Sequence, residues 1–157
     1  MKKCLSMVLA AMLLSGCATQ QREERREAVR KAVAEAVAKR QLHIGITTMS
    51  TMRYGSRTVT PDFFLELRGD TLQSYLPYMG QVFLAPMTTP SQGLNFEAPV
   101  LNYSLNSKKR HISEMEMDVK TQEDTYHYCI EIHESGQAYI HVQPMHRDPI
   151  SFGGCLE

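Results

Sequence analysis

The chain has no tryptophan, no net charge, and no apolar run long enough to cross a bilayer as a helix. Its 17 basic residues are balanced by 17 acidic ones, which gives no basic surplus of the kind that marks a nucleic-acid binder. The apolar core from Leu5 to Leu14 is ten residues, against the roughly 20 that a spanning helix needs. HExxH, GxSxG, SxxK, the P-loop and GxGxxG are all absent, so the common metalloprotease, hydrolase and nucleotide-binding chemistries have no footing here. No catalytic residue is assigned, the chain reads as non-enzymatic, and no cofactor is implied.

What the chain does have is a lipobox. Lys2 and Lys3 form a positive n-region, Leu5 to Leu14 the apolar core, and Leu14-Ser15-Gly16-Cys17 the small-residue end with its cysteine. That arrangement predicts a lipoprotein signal peptide over residues 1–16 and lipidation of Cys17 by a diacylglyceryl group and an N-acyl chain of the palmitate class. Three acyl chains exceed the two signals that stable anchoring takes. Ala18, rather than Asp, follows the cysteine, which resembles the outer-membrane sorting habit of Gram-negative lipoproteins. The acidic cluster that resembles a surface-export tag is missing from Ala18-Thr19-Gln20-Gln21. The expected location is the cell envelope, on the periplasmic face of the outer membrane.

Removal of residues 1–16 leaves 141 residues with 15 basic and 17 acidic side chains, enough for one domain. A balance near −2 gives no reason to expect nucleic acid or anionic lipid as a partner. Residues 17–41 read as the lipidated cysteine and a charged helical stalk. Val29, Val33 and Val37 recur every four residues beside Ala32 and Ala36, a narrow apolar stripe that packs on a domain edge or stands as a stalk. Glu27 with Lys31 and Glu35 with Lys39 are supporting i,i+4 pairs. Arg22 to Arg30 reads as solvated.

From Leu42 the period falls to two, and residues 42–157 read as an antiparallel β domain. Leu42, Ile44 and Ile46 open it, Met49 to Thr60 reads as a loop or irregular edge, and Phe63, Leu65 and Leu67 share a face before the turn at Arg68-Gly69-Asp70. A strand from Thr71 to Leu76 ends at Pro77, Val82-Phe83-Leu84 reads as a short strand, and Leu94 to Leu105 as one strand broken near Pro99. Met115, Met117 and Val119 alternate with acids; Tyr126, Tyr128, Ile130 and Ile132 alternate with His127, Cys129, Glu131 and His133. After Glu134-Ser135-Gly136, Ala138, Ile140 and Val142 follow, and a last strand runs from about Ile150 to Leu156. This is a meander with one wet face.

Gly69-Asp70-Thr71, Tyr75-Leu76-Pro77-Tyr78 with Gly80, Gly93-Leu94-Asn95-Phe96, and Arg147, Ile150-Ser151-Phe152 and Gly154 resemble the signature of an uncharacterised Bacteroides-type lipoprotein family, domain of unknown function 4251. The similarity covers roughly residues 42–156, with Met79 where an aromatic residue is expected. The resemblance implies a periplasmic or outer-membrane location and carries over no catalytic residues.

Four side-chain groups remain as candidates. His127, Glu131, His133 and His141 are weak metal candidates: pairing His133 with Gln137 sets Glu131 against Tyr139 and Cys129 against His141, within about 5.5 Å, but neighbours on one strand splay, and no metal site is assigned. Cys129 and Cys155 fall two strands apart in a meander, about 9–10 Å, beyond the roughly 7 Å that a disulfide spans. Asp70-Thr71-Leu72 resembles the Asp-Thr/Ser-aliphatic acceptor for O-glycosylation in Bacteroides-type envelope proteins, with Thr71 as acceptor; turn shaping by the same side chains is an equal and compatible reading. Tyr75, Pro77 and Tyr78 form the candidate contact surface.

The expectation is therefore an α+β protein: an N-terminal helix and a twisted antiparallel sheet of about six to eight strands, curved into a partly open barrel. It is held to the membrane through Cys17 and binds a protein or envelope component. The alternative is a carrier of a small apolar ligand or lipid within the curved sheet, lined by residues such as Phe63, Leu65, Met115 and Met117. A cavity of about 300 Å³ or more would favour the carrier, and a filled interior the binding module.

Overall fold

A computed structural model describes the backbone of residues 2–83, 93–109 and 111–157, and side chains within 20–83, 93–107 and 111–157. Helix α1 (Lys2–Lys39) leads into nine strands: β1 (Gln41–Thr51), β2 (Gly55–Thr58), β3 (Phe64–Arg68), β4 (Thr71–Pro77), β5 (Gly93–Lys109), β6 (Ile112–Lys120), β7 (Thr125–His133), β8 (Gln137–Pro144) and β9 (Ile150–Leu156). Among the described residues no helix is long and apolar enough to cross a membrane. Every ladder is antiparallel, neighbours follow chain order from β3 to β9, and β9 pairs back onto β1. Eight strands thus close into a barrel. The extra strand, β2, pairs with Thr48–Thr51 of β1, while β3 pairs with Gln41–Gly45, so the two lie end to end along one edge of β1.

Period-two alternation puts one face of each strand inside. Met115, Met117 and Val119 of β6, Tyr126, Tyr128, Ile130 and Ile132 of β7, and Ala138, Ile140 and Val142 of β8 are all buried in one cluster. A β-bulge between Ile46 and Thr48 shifts β1 by one residue, so that its inward series runs Leu42, Ile44, Ile46 and then Met49. An eight-stranded barrel is just wide enough to be filled by its own side chains, and this one is packed with two tyrosines and a ring of aliphatic residues. Phe63 packs against that cluster from its margin, and Leu65, Met115 and Met117 belong to it.

The helix stripe joins the same core. Val33 and Val37 are each 5% exposed and lie in the barrel cluster, whereas Val29 is 37% exposed. Arg40, in a left-handed conformation with φ 51°, ends the helix, and its guanidinium meets Asp70 at 2.9 Å. Arg30 meets Glu134 at 3.1 Å. α1 is therefore fastened across the barrel end formed by the β3–β4 and β7–β8 turns.

Three sequence expectations are corrected. Residues 49–60 are not one loop: β1 runs to Thr51, and Gly55–Thr58 pair back on it with every side chain exposed, held by backbone bonds that hydropathy does not report. β5 is not broken at Pro99. Val100 N–H donates to Asp70 O on the β4 side, so Pro99 directs its nitrogen to the other edge, where β6 pairing begins only at Val100. Val82-Phe83-Leu84 supplies only an isolated bridge from Val82 to Arg147, and Leu84 lies outside the described residues. The cysteine reasoning survives. β8 separates Cys129 from Cys155, their partners on it are His141 and Gln137, and both thiols are free.

Burial of Tyr126 pushes its hydroxyl up to about 12, and the fully buried Tyr128 is raised further, opposed by its hydrogen bond to Ser74 Oγ at 3.3 Å. Both folded values exceed the ordinary tyrosine value of 10.0. Stability from these rings is therefore complete below pH 10 and is lost as pH rises through about 12, because the unfolded chain releases the protons first. Thermal melts across that window should show a falling Tm, with phenolate absorbance from both rings appearing with unfolding. A flat Tm up to pH 12 contradicts this burial.

Candidate binding surfaces

Among the described residues, four short segments lie at the barrel end away from α1: the β1–β2 turn at 52–54, residues 78–83, the β6–β7 turn at 121–124, and residues 145–149. Tyr78 folds back over Gly80, and its hydroxyl donates to the carbonyls of Gln81 (3.0 Å) and Asp148 (3.1 Å). A Cβ at Gly80 would collide with that hydroxyl and with Asp148, so this spacing of tyrosine and glycine is a packing requirement. The Asp148 carboxylate accepts from Gln81 N–H at 3.0 Å and pairs with Arg53 at 3.3 Å. Arg147, 4% exposed, reaches Glu123 at 2.7 Å and lies over the Tyr78 ring, 5.5 Å from its centroid. Asp124, 5% exposed, accepts from His146 N–H at 3.1 Å and from Thr125 N–H at 2.8 Å. Burial raises the Tyr78 hydroxyl, Asp148 adds to the rise, and Arg147 opposes it.

This polar clamp carries apolar side chains outward. Met52, Tyr54, Val82, Phe83 and Met145 are all exposed large hydrophobics on the segments it ties together, with Phe83 N–H donating to His146 O at 2.7 Å. A groove of about 430 Å³ beside them is lined by Met52, Arg53, Met79, Gly80, Asp148 and Pro149, together with Thr51.

The sequence-predicted contact residues divide. Tyr75 and Pro77 face outward on β4, where Tyr75 stands 5.5 Å from the Phe63 ring and 5.8 Å from Phe64, and His43 stacks on Phe64 at 5.2 Å. Tyr78 leaves that face and belongs to the clamp. The predicted register of the metal candidates is observed, with Glu131 opposite Tyr139 and Cys129 opposite His141. Their rings nevertheless serve separate neighbours. His127 Nδ1 meets Asp118 at 2.7 Å, His141 Nδ1 meets Ser151 at 2.9 Å, and His133 stands edge-on to Tyr139 at 5.7 Å. Hydrogen bonds from Asn102 and then His127 hold the Asp118 carboxyl below the usual range. Among the described residues the one group of three ligand-type atoms is Glu114, Glu116 and Cys129, within 4.8 Å of one another.

Burial pushes the Cys129 thiol up, and Glu114, which accepts its hydrogen bond at 3.6 Å, pushes it further. Since the thiolate is the nucleophile, iodoacetamide at pH 8 should label exposed Cys155 first, and Glu114→Gln should speed labelling of Cys129. Equal rates at both thiols would contradict that environment. Thr71 opens β4 with intermediate exposure, beside the Asp70 that pairs with Arg40. The Cys17 side chain lies outside those described.

Arg147, Asp124 and the apolar rim are the functional candidates that sequence reasoning did not single out. Arg147 was legible only as one letter of the family signature, and nothing in the spacing of Met52, Phe83 and Met145 announces that three distant segments meet.

A family model described as domain of unknown function (DUF4251) matches residues 24–156. The fold is similar to the crystal structure of a DUF4251 family protein from Bacteroides eggerthii DSM 20697, with a TM-score of 0.63 and 12% identity over 82% of this chain and 87% of that one. At that identity the likeness is one of fold. No curated protein matches the chain.

Proposed function

The chain belongs to the DUF4251 family, a domain of unknown function, and from that premise we propose that it is a non-catalytic, lipid-anchored module that binds an envelope protein at the barrel rim. In this reading Cys17 carries the acyl chains and the barrel stands on the periplasmic face of the outer membrane. The exposure of Met52, Tyr54, Val82, Phe83 and Met145 on segments locked by Arg53, Tyr78, Arg147 and Asp148 carries the proposal. Apolar and aromatic side chains on a rigid base, with charge at the margin, are what protein interfaces use as anchors. The tyrosine-filled interior weighs against the carrier reading.

Native mass spectrometry of the protein extracted gently from its own envelope tests it. A protein-sized added mass, lost in a Phe83→Ser, Met145→Ser variant that still folds, is the expected result. A bare acylated chain, or one holding only a small ligand, would sink the rim reading, the latter in favour of the carrier.

A further inference from the structure

α1 buries Val33 and Val37 against the barrel, and at about 100° per residue the same side of the helix continues toward its N-terminus as Arg22, Arg25, Arg26 and Arg30. Glu23 and Glu27 fall on the flank beside Arg30, and Glu24 and Lys31 on the opposite side. A near-neutral composition thus hides a segregated helix whose inward face turns from apolar to guanidinium where it passes the barrel edge. There it forms a groove of about 650 Å³ with Glu134 and Ser135 of the β7–β8 turn, to which the helix brings Val29, four arginines (Arg22, Arg25, Arg26 and Arg30) and one carboxylate, Glu27, so that cations outnumber acids four to two. Arg30 is held by Glu134 at 3.1 Å; among the described residues no carboxylate pairs with Arg22, Arg25 or Arg26.

We infer that this groove binds the phosphate of an anionic phospholipid headgroup at the membrane that carries the anchor. Guanidinium groups match phosphate oxygens in a bidentate fork. Only four residues lie between Cys17 and Arg22, a span of no more than about 18 Å even fully extended, so acyl chains at Cys17 bring the arginines to the headgroup layer. The inference rests on the anchor reading of Cys17. It departs from the expectation set by net charge, because binding responds to local charge within a Debye length of about 8 Å.

The test uses the acylated protein in nanodiscs of phosphatidylcholine with a minority of phosphatidylglycerol, ejected for native mass spectrometry. Each arginine near an anionic surface strengthens binding by about fivefold, so phosphatidylglycerol should be retained over phosphatidylcholine by at least about tenfold relative to the disc. The exposed-site variant R22Q/R25Q/R26Q should lose that preference. R26Q and K31Q remove one positive charge each from the same helix, and only R26Q should weaken retention. Equal retention by the triple variant overturns the groove, and so does equal loss in K31Q. Loss of retention on adding millimolar inorganic phosphate overturns the headgroup assignment in favour of free phosphate. An N-terminal peptide without acyl mass overturns the anchor reading alone; co-sedimentation of that protein and R22Q/R25Q/R26Q with phosphatidylglycerol vesicles then decides the groove.

Discussion

Replacing Gly154 by alanine should lower Tm by roughly 6–12 °C, the equivalent of about 3 kcal/mol for a domain of this size. Gly154 sits in the β1–β9 seam, opposite Ile46 and Ala138, and a Cβ there would run into the carbonyl of Gly45 and the Cα of Ile46. Those are backbone atoms of the neighbouring strand, so relief requires β1 itself to move, and β1 is fixed on its other edge by β3. Gly153→Ala is the control. Its added Cβ meets Thr48 Oγ1, the tip of a side chain that can rotate away, so a loss below about 1.5 kcal/mol is expected. Thermal unfolding by circular dichroism distinguishes the two. Equal melting of G154A and the parent would mean that the seam does not have this register.

Arg147→Ala should cost about 3 kcal/mol, near the lower end of the range for breaking a buried pair. The Arg147 side chain is 3% exposed, but its partner Glu123 is 22% exposed and already within reach of water. The loss therefore combines the charge-assisted bond with the packing of the guanidinium over Tyr78. Glu123→Gln keeps an oxygen to accept from Arg147 and should cost about 1 kcal/mol. Urea unfolding of both variants separates charge from packing: equal losses would show that the ionic attraction carries the effect. Because Val82 bridges to Arg147 and Phe83 bonds to His146, R147A should also release the 82–83 segment, seen as faster amide exchange at Phe83.

Much of the fold could be read from the chain because hydropathy reports which side chains face inward. The Glu134-Ser135-Gly136 turn fixed the pairing of Glu131 with Tyr139 and of Cys129 with His141, since a tight turn leaves a single register. Pro77 was correctly read as the strand's end: β3 has already stopped at its pairing of Phe64 with Tyr75. β2 escaped notice because Gly55–Thr58 bury nothing, and the strand exists by backbone bonding alone. Pro99 misled because its compatibility depends on which edge its nitrogen faces, a property of the neighbouring strands. The clamp was hidden for a related reason. Arg53, Tyr78, Glu123 and Arg147 come from four separate connections, and the closure that gathers them is set by the β1–β9 seam. The helix stripe was seen, but its arginine continuation was averaged away by counting charges instead of placing them.

An even number of strands in a closed up-and-down meander returns the chain to the level at which it entered. β9 therefore ends beside α1, with Leu156 N–H donating to Gly136 O and Glu157 N–H donating to His43 O, while the clamp and its apolar rim occupy the opposite pole. The nine residues of β6, tilted as barrel strands are, span about 20–25 Å between the two ends. Were Cys17 to carry the proposed anchor, at the α1 pole, the barrel would act as a rigid standoff. It would present the rim at one height above the lipid surface, where a flexible linker would sample many, so a partner must itself reach to that height.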